Sequence, residues 1–170
     1  MAEPYDMNPC DRITVGTLGE PGNRTFYLQG VQGLESYAVL IEKQQATALA
    51  LALEETLAKL EDDYELRPAR ADRVAARDLE MQLPVEERFR VTSLGIGYES
   101  GSNMVVISCE GADFEDVATV RYWITRDQAA TLIRHARSII AGGRPICPLC
   151  GQPMDPDGHS CPRQNGHSAH

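Results

Sequence analysis

One hundred and seventy residues give room for one domain of ordinary size, or one domain with a small appendage, and exclude a large multidomain enzyme. A content of 42% hydrophobic and 24% charged residues is globular, and no run approaches the roughly 18 to 20 apolar residues of a membrane span, so the chain reads as soluble. The formal charge of −9 is spread without any basic segment, which disfavours both nucleic acid, where affinity comes from clustered Lys and Arg on phosphates, and anionic lipid.

Residues 1–11 carry Glu3, Asp6 and Asp11 and no basic start followed by an apolar stretch. They read as an N-terminal arm rather than a signal peptide, which places the chain in the cytoplasm. Residues 12–61 form a first unit. Ile13 and Val15 alternate, Thr25 to Val31 is a second β-rich run and Tyr37 to Ile41 a third, and Leu49, Leu53, Leu57 and Leu60 then mark one face of a helix. Residues 62–88 are a polar connector whose residues 71–82 allow a short helix ended by Pro84. In residues 89–141, Phe89, Val91 and Ser93 begin a strand, Met104 to Cys109 and Ala118 to Ile124 are two more, and Ala129, Leu132, Ile133, Ala136 and Ile140 mark a second helix. Residues 142–170 are a Cys-, Pro- and Gly-rich tail.

The order strand, strand, strand, helix thus occurs twice. IEKQQATALA (41–50) lies over ITRDQAATLI (124–133) at one offset of 83, matching Ile41 with Ile124, Gln45 with Gln128, Ala46 with Ala129 and Leu49 with Leu132. Turn residues at 19–22 and 100–103 separate the first two strands of each block, as hairpin loops do. Thr125 with Gln128 fits a capping box, and Gly142-Gly143 before Pro145 fits a helix stop. The expected fold is α+β: internally duplicated βββα halves with antiparallel sheets, followed by a zinc-knuckle tail.

Five cysteines are present, and three fall in the tail. In Cys147-Pro148-Leu149-Cys150-Gly151 the two-residue spacing lets both thiolates reach one tetrahedral ion, and the glycine permits the chain to turn beneath them. Cys161 supplies a third ligand. His159 is the preferred fourth, because the Asp155-Pro156-Asp157-Gly158 turn before it would hold it near the first pair; His167 is the alternative, closer to a terminus that frays. Closed Cys₃His coordination of Zn²⁺ is structural, leaving no position for substrate, and would supply much of the folding energy of so short a segment. A redox Cys-x-x-Cys normally opens a helix after a strand, which Pro148 and Gly151 oppose, and a disulfide is disfavoured in a reducing compartment.

Elsewhere the chemistry is bland. His135 sits near a helix C-terminus, where the dipole favours a cation; Cys109 reads as a buried core thiol and Cys10 as an exposed one. Gly95 to Gly101 lacks the helix a dinucleotide loop requires, and Asp155 to Gly158 lacks the later ligands of a calcium loop. The aromatics Phe26, Tyr27, Tyr37, Phe89, Tyr98, Tyr122 and Trp123 follow strand alternation as core residues do. Glu42 to Gln45 reads as a strand-to-helix junction, or as one lip of a polar site.

At GTLGEPGNRTFYLQG, IEKQQATALALALEETL and CPLCGQPMDPDGHSCPRQNGH the chain resembles a bacterial family catalogued as a domain of unknown function, number three-zero-nine-zero. The resemblance spans most of the chain. It maps the family's Cys-x-x-Cys and His-x-Cys onto Cys147, Cys150, His159 and Cys161, carries no catalytic residues, and implies lipid-kinase-like or histidine-phosphatase-like neighbours as partners. The functional expectation is a cytoplasmic zinc-binding protein acting as a non-catalytic protein-binding or adaptor module. The alternatives are an enzyme or small-ligand protein with a pocket between the halves near Glu42 to Gln45 and Thr125 to Gln128, and nucleic-acid binding through the knuckle, which the charge disfavours.

Overall fold

Short hairpins and amphipathic helices at the expected periods leave one question, which is how six or more strands associate. In the computed structural model, residues 3–20, 22–113 and 116–142 are described, with residue 149 and the backbone of 159–160 and 168–169. The chain runs β1 (Tyr5–Met7), β2 (Arg12–Leu18), β3 (Thr25–Gln32), β4 (Glu35–Ile41), α1 (Lys43–Tyr64), two single-turn 3₁₀ helices (Ala71–Arg73 and Ala76–Leu79), β5 (Glu87–Glu99), β6 (Met104–Asp113), β7 (Asp116–Thr125) and α2 (Arg126–Ile140). Two further short strands, β8 (His159–Ser160) and β9 (Ser168–Ala169), pair with each other.

Strands β1 to β7 form one mixed sheet in the order β1-β7-β6-β5-β4-β3-β2. Within β2-β3-β4 and within β5-β6-β7 every pairing is antiparallel, as the hairpin turns require. The sheet as a whole is not antiparallel, however, because β4 joins β5 and β1 joins β7 in parallel. Connectivity permits the first of these joints: β4 reaches β5 only after α1 and the connector, a crossover long enough for parallel pairing.

The sheet also curls back on itself. Strands lie about 4.8 Å apart, so in a flat sheet β1 and β4, four places apart, would be separated by about 19 Å. Tyr5 of β1 instead stacks on Tyr37 of β4 with ring centroids 4.9 Å apart. The Tyr122 hydroxyl of β7 donates to the Tyr37 carbonyl at 2.9 Å, and a Cβ on Gly30 of β3 would come within 2.6 Å of the Tyr122 ring. Residues between β1 and β2 close the gap: the Cys10 N–H donates to the Trp123 carbonyl of β7 and the Asp11 N–H to the Val31 carbonyl of β3, each at 2.8 Å. The stretch that reads as an arm is therefore part of the sheet.

Residues from the curled sheet and both helices share one core, with Val15, Leu28, Val39, Leu53, Val105, Ile107, Val120, Tyr122, Ile124 and Ala129 fully buried. Of the seven aromatics expected in the core, Phe26, Tyr27, Phe89 and Tyr122 are buried, Tyr37 and Tyr98 are half-buried against it, and Trp123 is half-buried with its indole bonded to Asp6. The two helices pack on each other, and Arg137 of α2 pairs with Glu54 of α1 at 2.7 Å. Helix α1 ends at Glu65 with a left-handed φ of 51°, and α2 ends where Gly142, at φ 68°, donates to the Ile139 carbonyl. In place of one helix over 71–82, the connector has the two 3₁₀ turns, laid against α2 and β2. Among the described residues, no helix is long and apolar enough to cross a membrane.

Candidate functional site

The internal sequence match is tightest at the two strand-to-helix junctions. Gln128, third residue of α2, accepts from the Thr125 N–H at 2.8 Å while the Thr125 hydroxyl accepts from the Gln128 N–H at 3.0 Å, a reciprocal capping box. Gln45 accepts from the Glu42 N–H at 2.8 Å. Each glutamine then uses its amide to hold a strand. Gln45 donates to the Val91 carbonyl at 3.0 Å, beside the register shift in β5, and Gln128 donates to the Cys10 carbonyl at 3.1 Å, where β1 gives way to β2.

Each junction borders a cleft. Beside Glu42 and Lys43 lies one of about 420 Å³. Arg24 enters it from the start of β3, Lys43 from the first turn of α1 and Arg90 from β5, so three cations converge in a chain of net charge −9. Arg24 lies 5.5 Å from the Phe26 ring centroid and donates to the Ile139 carbonyl at 3.3 Å, and Arg90 pairs with Glu42. Only Glu42 and Lys43 were readable as a possible lip of this site, because Arg24 and Arg90 are distant in sequence and no motif joins them. The other junction borders a cleft of about 310 Å³ of mixed charge with an acidic excess, Arg12 and Arg73 against Asp11, Asp78 and Asp127.

The body's remaining reactive groups are held in structural roles. Cys10 is buried rather than exposed, with its thiol donating to the Met7 carbonyl at 3.6 Å, because β1 draws it under the sheet. Burial pushes the thiols of Cys10 and Cys109 up to about 12, far from the thiolate range that nucleophiles and metal ligands need. His135 is half-buried, and burial holds its imidazole below the usual range while the Val15 backbone acts in the opposite sense, so a cation at this helix end is disfavoured rather than favoured. Desolvation there outweighs the helix dipole.

The tail ligands stand apart. Cys147, Cys150, Cys161 and His167 lie outside the described residues, and of His159 only the backbone is described, paired with Ala169. Among the described residues, no group of three or more His, Cys, Asp or Glu side chains is placed to hold a metal ion.

The fold is thus α+β, a curled seven-stranded mixed sheet carrying two helices on paired junctions. Residues 5–161 match the family described as a protein of unknown function (DUF3090), and the chain belongs to that family. Comparison with curated proteins and with solved structures gives no match.

Proposed function

We propose that the chain is a cytoplasmic, non-catalytic protein-binding module, made of two duplicated βββα halves and ending in a tail that holds a structural zinc ion through Cys147, Cys150, Cys161 and His159, with His167 as the alternative fourth ligand. Duplication is supported by the 83-residue offset and by register: Val15, Leu28 and Val39 lie side by side across one half, and Ile96, Ile107 and Tyr122 across the other. Zinc is supported by the spacing of the tail cysteines, and a non-catalytic role by the elevated thiols of Cys10 and Cys109.

The observation that carries the binding reading is an apolar surface at the β3–β4 turn. Leu34 is 100% exposed and Leu83 is 64% exposed, and both line a cleft of about 500 Å³ with Pro84, Tyr5 and Tyr37. Lone exposed leucines are ordinary, but two beside an aromatic-walled cleft rimmed by Glu35, Glu86 and Arg88 have the anatomy of a protein contact. The test is a pull-down from native lysate with metal analysis of the same sample. A stoichiometric partner lost on Leu34→Asp and one zinc per chain are expected; capture unaffected by Leu34→Asp would remove the binding surface, and metal-free, freshly reduced protein would remove the zinc.

A second reading, a small-ligand protein with its site at the junction of the halves, is favoured by the Arg24, Lys43 and Arg90 cleft. Such a cleft suits a small anion carrying carboxylate or phosphate groups. Thermal stabilisation by inorganic phosphate that disappears in Arg24→Ala and Arg90→Ala would support it, and the same shift in all three proteins would dismiss it.

A further inference from the structure

Strand register and the offset of 83 put the residues of the two junctions in correspondence. Phe26 of β3 faces Ile41 as Val105 of β6 faces Ile124, and Ile41 matches Ile124 at the offset. Two residues back along each strand, Arg24 therefore corresponds to Asn103, while Lys43 corresponds to Arg126.

At the second junction these two positions satisfy each other. Arg126 is buried, its Nε donating to the Asn103 side-chain oxygen at 3.2 Å and its Nη1 to the Arg67 carbonyl at 2.6 Å. At the first junction a second cation, Arg24, stands where the acceptor was. Arg24 and Lys43 line the cleft of about 420 Å³ together with Arg90. The Lys43 ammonium has no hydrogen-bond or ion-pair partner among the described residues, and Arg24 is held by the Ile139 carbonyl and the Phe26 ring, which position it without neutralising it. By contrast, Arg67, Arg70, Arg121 and Arg137 each meet a carboxylate. Like charges gathered in one cleft repel unless an opposite charge lies between them, so the missing acceptor points to a bound anion.

The same cleft selects among anions. Glu42 pairs with Arg90, so three cations against one carboxylate leave two positive charges uncompensated. A carboxylate brings one negative charge and two coplanar oxygens. A phosphate monoester brings about two charges at pH 7 and three terminal oxygens that point apart, which suits cations arriving from β3, α1 and β5. The cleft volume falls within the roughly 300 to 1,000 Å³ of small-molecule sites, and Phe26, Leu40 and Ile41 supply apolar wall for a small organic body.

We propose that the Arg24, Lys43 and Arg90 cleft binds the phosphate group of a small phosphate monoester, its oxygens lying between Arg24 and Lys43 as the Asn103 oxygen lies against Arg126. This rests on the small-ligand reading of the junction and narrows it from small anions in general to phosphate monoesters. Glu42 limits the affinity, because it occupies Arg90 and repels an incoming dianion.

The test is calorimetric titration of the full chain with phenyl phosphate and with benzoate, probes that share an aromatic ring and differ in the anionic group. Phenyl phosphate should bind at least about tenfold more tightly than benzoate at pH 7.5. Lys43→Ala removes an exposed side chain without a partner, and Arg24→Asn gives the first junction the acceptor found at the second. Each should weaken phenyl phosphate about tenfold, whereas Glu42→Gln, which keeps an oxygen to cap α1, should tighten it about threefold. Benzoate binding as tightly as phenyl phosphate, with both weakened by Lys43→Ala, would overturn the phosphate assignment and leave the small-anion reading standing. Failure of both probes to bind, or binding unchanged by Lys43→Ala and Arg24→Asn, would overturn the two together.

Discussion

Gln45 and Gln128, 83 positions apart, do the same two things: each accepts from the N–H that begins its helix and each donates its amide to a backbone carbonyl where a strand is interrupted, Val91 for Gln45 and Cys10 for Gln128. One side chain therefore fixes a helix start to a strand irregularity. A donor and an acceptor are both needed, which explains glutamine rather than glutamate at these positions.

Substitution should separate the two functions. Gln45→Glu and Gln128→Glu keep the cap acceptor and lose the donor, whereas the alanine variants lose both. We expect about 1 kcal/mol for each glutamate variant and about 2 kcal/mol for each alanine variant in urea unfolding. Equal losses for glutamate and alanine would show that the strand bond contributes nothing.

Asp6 ties β1 to β7. Its carboxylate accepts from Arg121 Nε at 2.7 Å and Nη2 at 2.6 Å, and from the Trp123 indole at 2.8 Å, and the Arg121 hydrogen bonds hold its pKa below the usual range. A carboxylate with a depressed folded pKa contributes stability that is present above its unfolded value and is lost as pH falls through the folded one. The wild-type chain should therefore lose stability below about pH 4. Asp6→Asn should lose about 1 kcal/mol at pH 7, since the group is partly exposed and solvent screens it, and should show less of the acid-side decline in urea midpoint.

His135 gives a slope at milder pH. Burial lowers its folded pKa, so as pH falls the unfolded chain takes up the proton first, near its ordinary value of about 6.5. Stability is full above that value and declines as pH drops from it toward the lower folded value. His135→Gln, which stays polar and does not titrate, should show a smaller difference between urea midpoints at pH 7.5 and 5.5 than the wild type. An identical difference would place the titration in other groups.

Gly111 and Gly30 are packing requirements. A Cβ on Gly111 would lie 2.2 Å from the Arg90 backbone oxygen, and one on Gly30 would lie 2.6 Å from the Tyr122 ring and 2.8 Å from Met7 Sδ. Backbone yields less readily than a side chain. Gly111→Ala should cost about 3 kcal/mol or more and Gly30→Ala somewhat less, read from thermal or urea unfolding.

Thiol titration tests the proposed division of the cysteines. Cys10 and Cys109 should stay unreactive toward an aromatic disulfide reagent at pH 8 in the folded chain, because burial holds both near 12. Chelator should release the tail thiols alone, and denaturant the remaining two. Fast reaction before chelation of a tail otherwise intact would contradict zinc ligation.

Local pattern carries a good part of this fold. The strand runs, both helices, the hairpin turns and the Thr125–Gln128 cap are set by residues a few positions apart, and those interactions repeat wherever the pattern does. The offset of 83 further pointed to Gln45 and Gln128 as a pair, though not to the bonds they make. Tertiary structure alone decided the parallel joints β4–β5 and β1–β7, because parallel pairing has no turn between its strands to mark it. It also decided the curling of the sheet, the burial of Cys10 and the meeting of Arg24, Lys43 and Arg90. The same closure separates two strands that share a pattern: β2 lies under the connector and β5 beside an open groove, since coverage depends on where a distant segment comes to rest and not on the strand's own residues.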